Sequence, residues 1–230
     1  MLNSAIRGIS SMATRQIVAE LAEAYRRRCG VDVAFESVGG VDAARRVQAG
    51  EPFDVTVLAS DAIDRLVASG HVLAGSRVDL VRSGVAIAVR ADAARPDVAT
   101  EDALRRAVLA ARTVGYSTGP SGVALLALFD RWGIAEAIRD RLVQAPAGVP
   151  VGTLVARGDV ELGFQQLSEL LHLPGVALLG PMPPGAEIVT TFSGGVCATS
   201  TRSADVRALL DFMRSPAAAE AKRRHGMDPA

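Results

Sequence analysis

Two stretches of this chain, residues 77–90 and 188–199, read as β-strand over lengths that an ordinary strand of about 5–6 residues does not reach. Each carries small residues at its middle, Ser83-Gly84 in the first and Ser193-Gly194-Gly195 in the second. A strand that leaves one sheet and enters another accounts for both the length and the small residues. Two such crossings divide the chain into two lobes, residues 1–82 with 190–230 and an inserted lobe, 83–189. Elsewhere strand and helix alternate, the pattern of an α/β fold whose sheets are mostly parallel.

The alternation is read from periodicity and punctuation. Residues 6–10 form a first strand, and Ser10 or Ser11 caps a helix whose Ile17, Leu21 and Tyr25 recur at helical spacing until Gly30 ends it. Strands follow at 31–37 and 53–59, each leading into a helix, with Asp42 in the first turn of one and Ser60-Asp61 opening the other. In the inserted lobe, Thr100 caps a helix over 101–111, a strand spans 113–117, and Ser121 opens a helix that stops near Gly133. A further helix is expected over 135–145, then helix, strand, helix and strand at 150–157, 160–166, 167–173 and 176–180. Two helices close the chain, the last opened by Ser215-Pro216.

Composition removes several function classes. Lys plus Arg and Asp plus Glu each total 25, so the formal charge is zero and the basic stripe of a nucleic-acid binder is missing. No apolar run approaches the roughly 20 residues of a membrane helix, so no membrane insertion is expected. The start, Met1-Leu2-Asn3-Ser4-Ala5, shows no charged region followed by an apolar one. The chain reads as soluble, cytoplasmic as written or periplasmic if a leader has been removed, and as a monomer. Cys29 and Cys197 make neither a disulfide framework nor a metal set and read as structural thiols. His71, His172 and His225 lack metal-ligand spacing and a nucleophile partner, so neither metal nor cofactor is expected. The clusters Arg26-Arg27-Arg28 and Lys222-Arg223-Arg224 sit at helix C-termini and read as solvated.

Three strand-to-helix turns share one physical signature. Ser10-Ser11-Met12, Val38-Gly39-Gly40 and Ser117-Thr118-Gly119-Pro120-Ser121-Gly122 each place small or hydroxylated residues at a helix start. Helix N-termini offer unpaired N–H groups and a partial positive charge, which suit an anion without Lys or Arg. Taken singly each is an ordinary cap; three of them, split between two lobes, point to a site for a small anionic ligand in the cleft between the lobes. Gln165-Gln166, at the carboxyl end of a strand, adds amide donors. Enzyme signatures are sparse. Glu36, Asp54 and Asp61 lie near strand ends, and Glu36 is the best placed to act as a base.

Several segments together resemble the molybdate-binding-protein-like branch of the type II periplasmic binding proteins. They are Ala44-Arg45-Arg46-Val47-Gln48-Ala49-Gly50-Glu51-Pro52-Phe53-Asp54-Val55, Val114-Gly115 through Pro120-Ser121-Gly122, Leu162-Gly163-Phe164, and Phe212-Met213 through Ser215-Pro216-Ala217-Ala218 to Gly226-Met227. The resemblance implies an oxyanion or carboxylate held by hydroxyls and backbone amides at Ser10 or Ser11, the Gly39-Gly40 turn, Ser121 and Gln166. It implies an ABC permease as partner. Gly40 and Gln166 stand where molybdate binders tend to offer serine and tyrosine hydroxyls, a change that favours a di- or tricarboxylate. The branch also includes aconitate isomerases, which implies an alternative activity: isomerisation of an unsaturated carboxylate by a proton shift.

Overall fold

In a computed structural model, which describes residues 5–230, β1 (Ile6–Ser11) passes through a 3-10 turn, Met12–Thr14, into α1 (Arg15–Cys29). Then follow β2 (Val33–Val38), α2 (Gly40–Gln48), β3 (Val55–Ala59), α3 (Ser60–Ala68) and the long β4 (Val78–Arg90). Next come α4 (Glu101–Ala110), β5 (Val114–Tyr116), α5 (Pro120–Arg131), α6 (Ala135–Ile138), β6 (Leu142–Gln144), α7 (Val151–Arg157), β7 (Leu162–Gln166), α8 (Leu167–Leu170) and β8 (Val176–Pro181). The chain closes with β9 (Val189–Val196), α9 (Ser203–Arg214), α10 (Ala219–Arg224) and β10 (Asp228–Pro229). Contacts divide it into two units, residues up to Ser83 with Thr191–Ala230, and Gly84–Thr190.

In the first unit the strands run in the order β2-β1-β3-β9-β4, with β10 added to β4. β1 is parallel to both β2 and β3, and β9 is antiparallel to β3. The parallel register makes β1, β2 and β3 end at one edge, so the turns that follow them share it. One face of this sheet packs against α1, α9 and α10 through Ile17, Leu21, Leu209, Leu210 and Met213; Ala43, Val47, Ile63 and Leu66 of α2 and α3 pack in a separate cluster with Ile9 and Leu58. The small residues inside β9 have a packing reason. A Cβ at Gly194 would stand 2.3 Å from the Leu210 side chain and one at Gly195 would stand 2.6 Å from Val72, so a larger residue at either position would force these packed side chains to shift.

In the second unit the order is β4-β7-β5-β6, with β8 also on β4. β5, β6 and β7 are parallel, and β4 runs antiparallel to β7 and β8. Phe129, Leu125 and Leu104 cover one face of the sheet, and Val151 and Val155 of α7 build a separate cluster with Val160.

Caps and stops follow the residues. Thr100 Oγ1 accepts from the Ala103 N–H at 3.1 Å, and Gly30 ends α1 in the left-handed region at φ 69°. Two expectations need correction. Residues 135–145 are not one helix: after α6 and a 3-10 turn the chain becomes β6, pairing Leu142 with Val114 and packing Val143 beside α7. A β-branched residue between sheet and helix gains more from that burial than from continuing a helix. Nor is Lys222 solvated. Its position on α10 packs inward beside Ala218 and Ala221, leaving the residue 1% exposed.

Candidate functional site

In the second unit the parallel strands β5 and β7 pair Val114 with Leu162 and Gly115 with Gly163, so Ser117 and Gln165-Gln166 emerge at the same edge. The Ser117–Gly119 turn enters α5 through Gly119 as N-cap and Pro120 at the first helical position. Proline has no N–H to leave unsatisfied there. Ser121 therefore sits inside the first turn rather than opening the helix, and its hydroxyl shares a hydrogen bond with Ser117 Oγ at 3.1 Å. Ser121 is 7% exposed. The turn is drawn so tight that a Cβ at Gly122 would lie 1.9 Å from the Ser117 carbonyl oxygen. Two hydroxyls are thus gathered over the amino end of a twelve-residue helix, where the backbone carries partial positive charge. Thr118 lies in the same turn and is exposed.

Alternation along β7 sends its two glutamines to opposite faces. Leu162 and Phe164 belong to the cluster built with α5, where Phe164 meets Phe129 edge-on with centroids 6.1 Å apart. Gln166, next in that row, lies on the α5 face and is 3% exposed. Its Nε2 donates to Thr190 Oγ1 at 2.8 Å, while its buried Oε1 has no partner among the described residues. An amide buried with one end idle is costly unless something occupies it. Half a turn of the amide lets Thr190 donate to Oε1 and leaves the NH₂ idle instead, the form that suits an anion.

Gln165 is committed differently. Its Oε1 accepts the Gly152 N–H at the start of α7, 3.0 Å away, and its Nε2 donates to Glu169 Oε1 at 2.8 Å. Both ends are used inside the unit, so Gln165 is a brace rather than a free donor. Burial pushes the Glu169 carboxyl up to about 7, against a smaller lowering effect from Gln165.

In the first unit, register brings the two other turns together. Ser11 pairs with Val38, and a Cβ at Gly40 would lie 3.6 Å from Ser11 Cβ. Ser10 Oγ shares a hydrogen bond with Ser37 Oγ at 2.7 Å, and Ser11 Oγ lies 3.3 Å from Thr14 Oγ1. Gly39 caps α2 in extended conformation, and Met12 is partly buried in the 3-10 turn beyond Ser11. Ser10, Ser11, Met12, Gly39 and Gly40 therefore form one cluster at one sheet edge.

Glu36 does not join it. On β2 it points away from Ser37, and its carboxylate accepts from Arg46 Nη2 at 3.0 Å, an arginine that also donates to Glu51 at 2.7 Å. The Arg46 hydrogen bonds hold Glu36 below the usual carboxylate range, which weakens it as a base, and the geometry gives that candidate no support. Asp54 accepts from the Arg7 N–H and the Ser200 hydroxyl, and Asp61 pairs with Arg65. Cys197 is buried, with its thiol pushed up to about 12 by desolvation, whereas Cys29 is exposed. His225 Nε2 meets Glu20 at 2.7 Å, tying α10 to α1. Among the described residues no three His, Cys, Asp or Glu side chains are grouped to hold a metal ion, and no helix is long and apolar enough to cross a membrane.

A match to bacterial extracellular solute-binding proteins spans residues 6–228, almost the whole chain. The chain belongs to that family. Among relatives, an aconitate isomerase of Pseudomonas sp is 39% identical over 227 residues, covering 96% of this chain and 86% of the relative. The molybdate-binding protein ModA of Azotobacter vinelandii is 25% identical over 224 residues, covering 90% and 83%. In three dimensions the sulfate-binding protein SubI of Mycobacterium tuberculosis superposes with a TM-score of 0.81 at 18% identity, covering 99% of this chain and 87% of that one. The fold of this family member is that of the type II periplasmic binding proteins, as the residue patterns implied.

Three hydrogen-bond partners of the two glutamines escape a reading of the sequence. Thr190 is 24 residues from its partner Gln166, and Gly152 offers only a backbone N–H. Glu169 carries one signal, a Gln165-x-x-x-Glu169 spacing across a helix start, which charge counting passes over.

Proposed function

We propose that the chain binds a small di- or tricarboxylate as a solute-binding protein, at the edge of the second unit where α5 begins. The observation that carries this reading is Gln166, buried, braced by Thr190 at one end and idle at the other, on the same face as the helix whose first turn bears Ser121. A carboxylate accepts hydrogen bonds only, and an amide NH₂, two hydroxyls and helix N–H groups are donors. The Ser11 and Gly40 cluster of the first unit offers an anion the same chemistry. The partner on this reading is an ABC permease, in keeping with the family.

One observation favours a second, enzymatic reading: the relative that is 39% identical is an aconitate isomerase. On that reading the bound anion is an unsaturated tricarboxylate, and the chain moves one of its protons. Both readings share the ligand class, so one screen tests it. A thermal-shift panel of cis- and trans-aconitate, citrate, malonate, sulfate and molybdate should show the carboxylates stabilising the protein. At about a hundred times Kd a bound ligand contributes about 2.7 kcal/mol. Stabilisation by molybdate or sulfate alone would contradict the carboxylate assignment.

A further inference from the structure

The Gln166 amide is held at one end by a group that can change roles. Gly115 of β5 pairs with Gly163 of β7, so the turn that opens α5 and Gln166 leave the sheet at the same edge. Gln166 lies on the face that α5 covers, and its buried Oε1 has no partner among the described residues. Its Nε2 donates to Thr190 Oγ1 at 2.8 Å. The chain leading to Thr190 is anchored to the strand beside Gln166. Val85, which pairs with Gln166 across the sheet, donates its N–H to the Ile188 carbonyl at 2.9 Å, and the Ile188 side chain packs in the α5 cluster. Thr190 itself is partly buried, and among the described residues its hydroxyl proton has no acceptor.

A hydroxyl both donates and accepts, whereas an amide has one donor end and one acceptor end. A carbonyl or carboxylate at position 190 would hold the Gln166 NH₂ permanently and leave its carbonyl oxygen toward the ligand, where it repels an anion. Thr190 imposes no such lock. When the amide makes half a turn, the hydroxyl donates to Oε1 instead of accepting from Nε2, and the number of hydrogen bonds within the pair is unchanged. The idle end is then a donor, which a carboxylate needs. We propose that Thr190 is a positioning residue of the anion site: its hydroxyl holds the Gln166 amide in place and, by donating to Oε1, presents the NH₂ to a bound carboxylate. This rests on the carboxylate reading above. Two effects make the hydroxyl matter for affinity. A tethered amide spares the ligand the entropy of ordering it. A hydrogen bond received at the amide oxygen also polarises the amide and strengthens its N–H as a donor. Thr190 acts through Gln166 alone and does not touch the ligand.

The test is a double-mutant cycle read by calorimetric titration with citrate and with cis-aconitate, using wild type, Thr190→Val, Thr190→Ser, Gln166→Leu and the double variant Thr190→Val with Gln166→Leu. Valine keeps the shape of threonine without the hydroxyl, and Thr190→Ala repeats the measurement if the valine protein does not melt cooperatively. Thr190→Val should raise Kd about three- to tenfold. Thr190→Ser, which keeps the hydroxyl, should bind within about twofold of wild type. In the double variant Kd should stay within about twofold of Gln166→Leu alone, because the group that Thr190 positions is already gone. A hydroxyl-free variant with wild-type affinity overturns the inference alone. So does a double variant in which the two losses multiply, or a serine variant as weak as the valine one. A wild type that binds neither acid, or a Gln166→Leu protein that binds them as wild type does, overturns the carboxylate reading and this inference with it.

Discussion

Replacing Ser121 by alanine separates a ligand contact from a fold contact, because the structure removes the usual confusion between them. A serine that caps a helix stabilises the free protein, and losing it costs about 0.5–2 kcal/mol. Ser121 is not the cap; Gly119 is, and no side chain caps α5. What the unliganded protein loses in Ser121→Ala is the 3.1 Å hydrogen bond to Ser117, a neutral pair whose net worth is about 0.5–1.5 kcal/mol. Alanine returns a few tenths of that through its higher helix propensity. The unfolding free energy should therefore fall by less than about 1 kcal/mol. A hydrogen bond from the same hydroxyl to a charged ligand is worth about 1.5–3 kcal/mol, roughly a 10- to 150-fold rise in Kd. Urea denaturation of the free protein and calorimetric titration with a tricarboxylate measure both quantities on one variant. Wild-type affinity together with a clear loss of stability would remove Ser121 from the site.

Other outcomes follow from particular residues. Lys222→Met should raise the unfolding free energy by about 1–2 kcal/mol, since a desolvated ammonium is replaced by an apolar chain of similar length. Desolvation holds the folded-state Lys222 below its ordinary value, so over that window the unfolded chain binds more protons and stability rises with pH toward about 10.5; the variant should lose that rise. For Glu169 the sign is opposite. Its folded value of about 7 exceeds the unfolded 4.5, so stability should fall as pH rises between them, and Glu169→Gln should flatten that slope in pH-dependent denaturation. Gly122→Ala should cost at least about 2 kcal/mol by melting or denaturant, because its Cβ would strike the Ser117 carbonyl oxygen at 1.9 Å.

What the sequence discloses depends on whether the signal is local. The helices bounded by Thr100 and by Gly30 carry their stop and start signals within a few residues, and they form where those signals stand. The three strand-to-helix turns were legible for the same reason, since glycine and serine at helix starts need no distant partner. The β6 strand was not, because Leu142-Val143-Gln144 becomes a strand only when β5 lies beside it. Lys222 misled because a cation in a last helical turn looks solvated until the packing of α10 turns it inward. Glu36 looked free because Arg46, ten residues away, is invisible as a partner until α2 folds back on β2. Within the site, the spacing Gln165-Gln166 says nothing of which amide is occupied; that is decided by Gly152 and Thr190, each brought from a different strand or helix.

The most direct test of the carboxylate assignment is calorimetric titration of wild type and Gln166→Leu with a tricarboxylate, beside a molybdate control. Leucine fills a similar volume and removes the amide, so the fold should persist while a donor to the anion is lost. Saturable binding of the tricarboxylate by wild type, weakened about tenfold or more in Gln166→Leu with little change in melting temperature, is the expected result. Equal affinity in the two proteins, or binding of molybdate with none of the carboxylate, would contradict it.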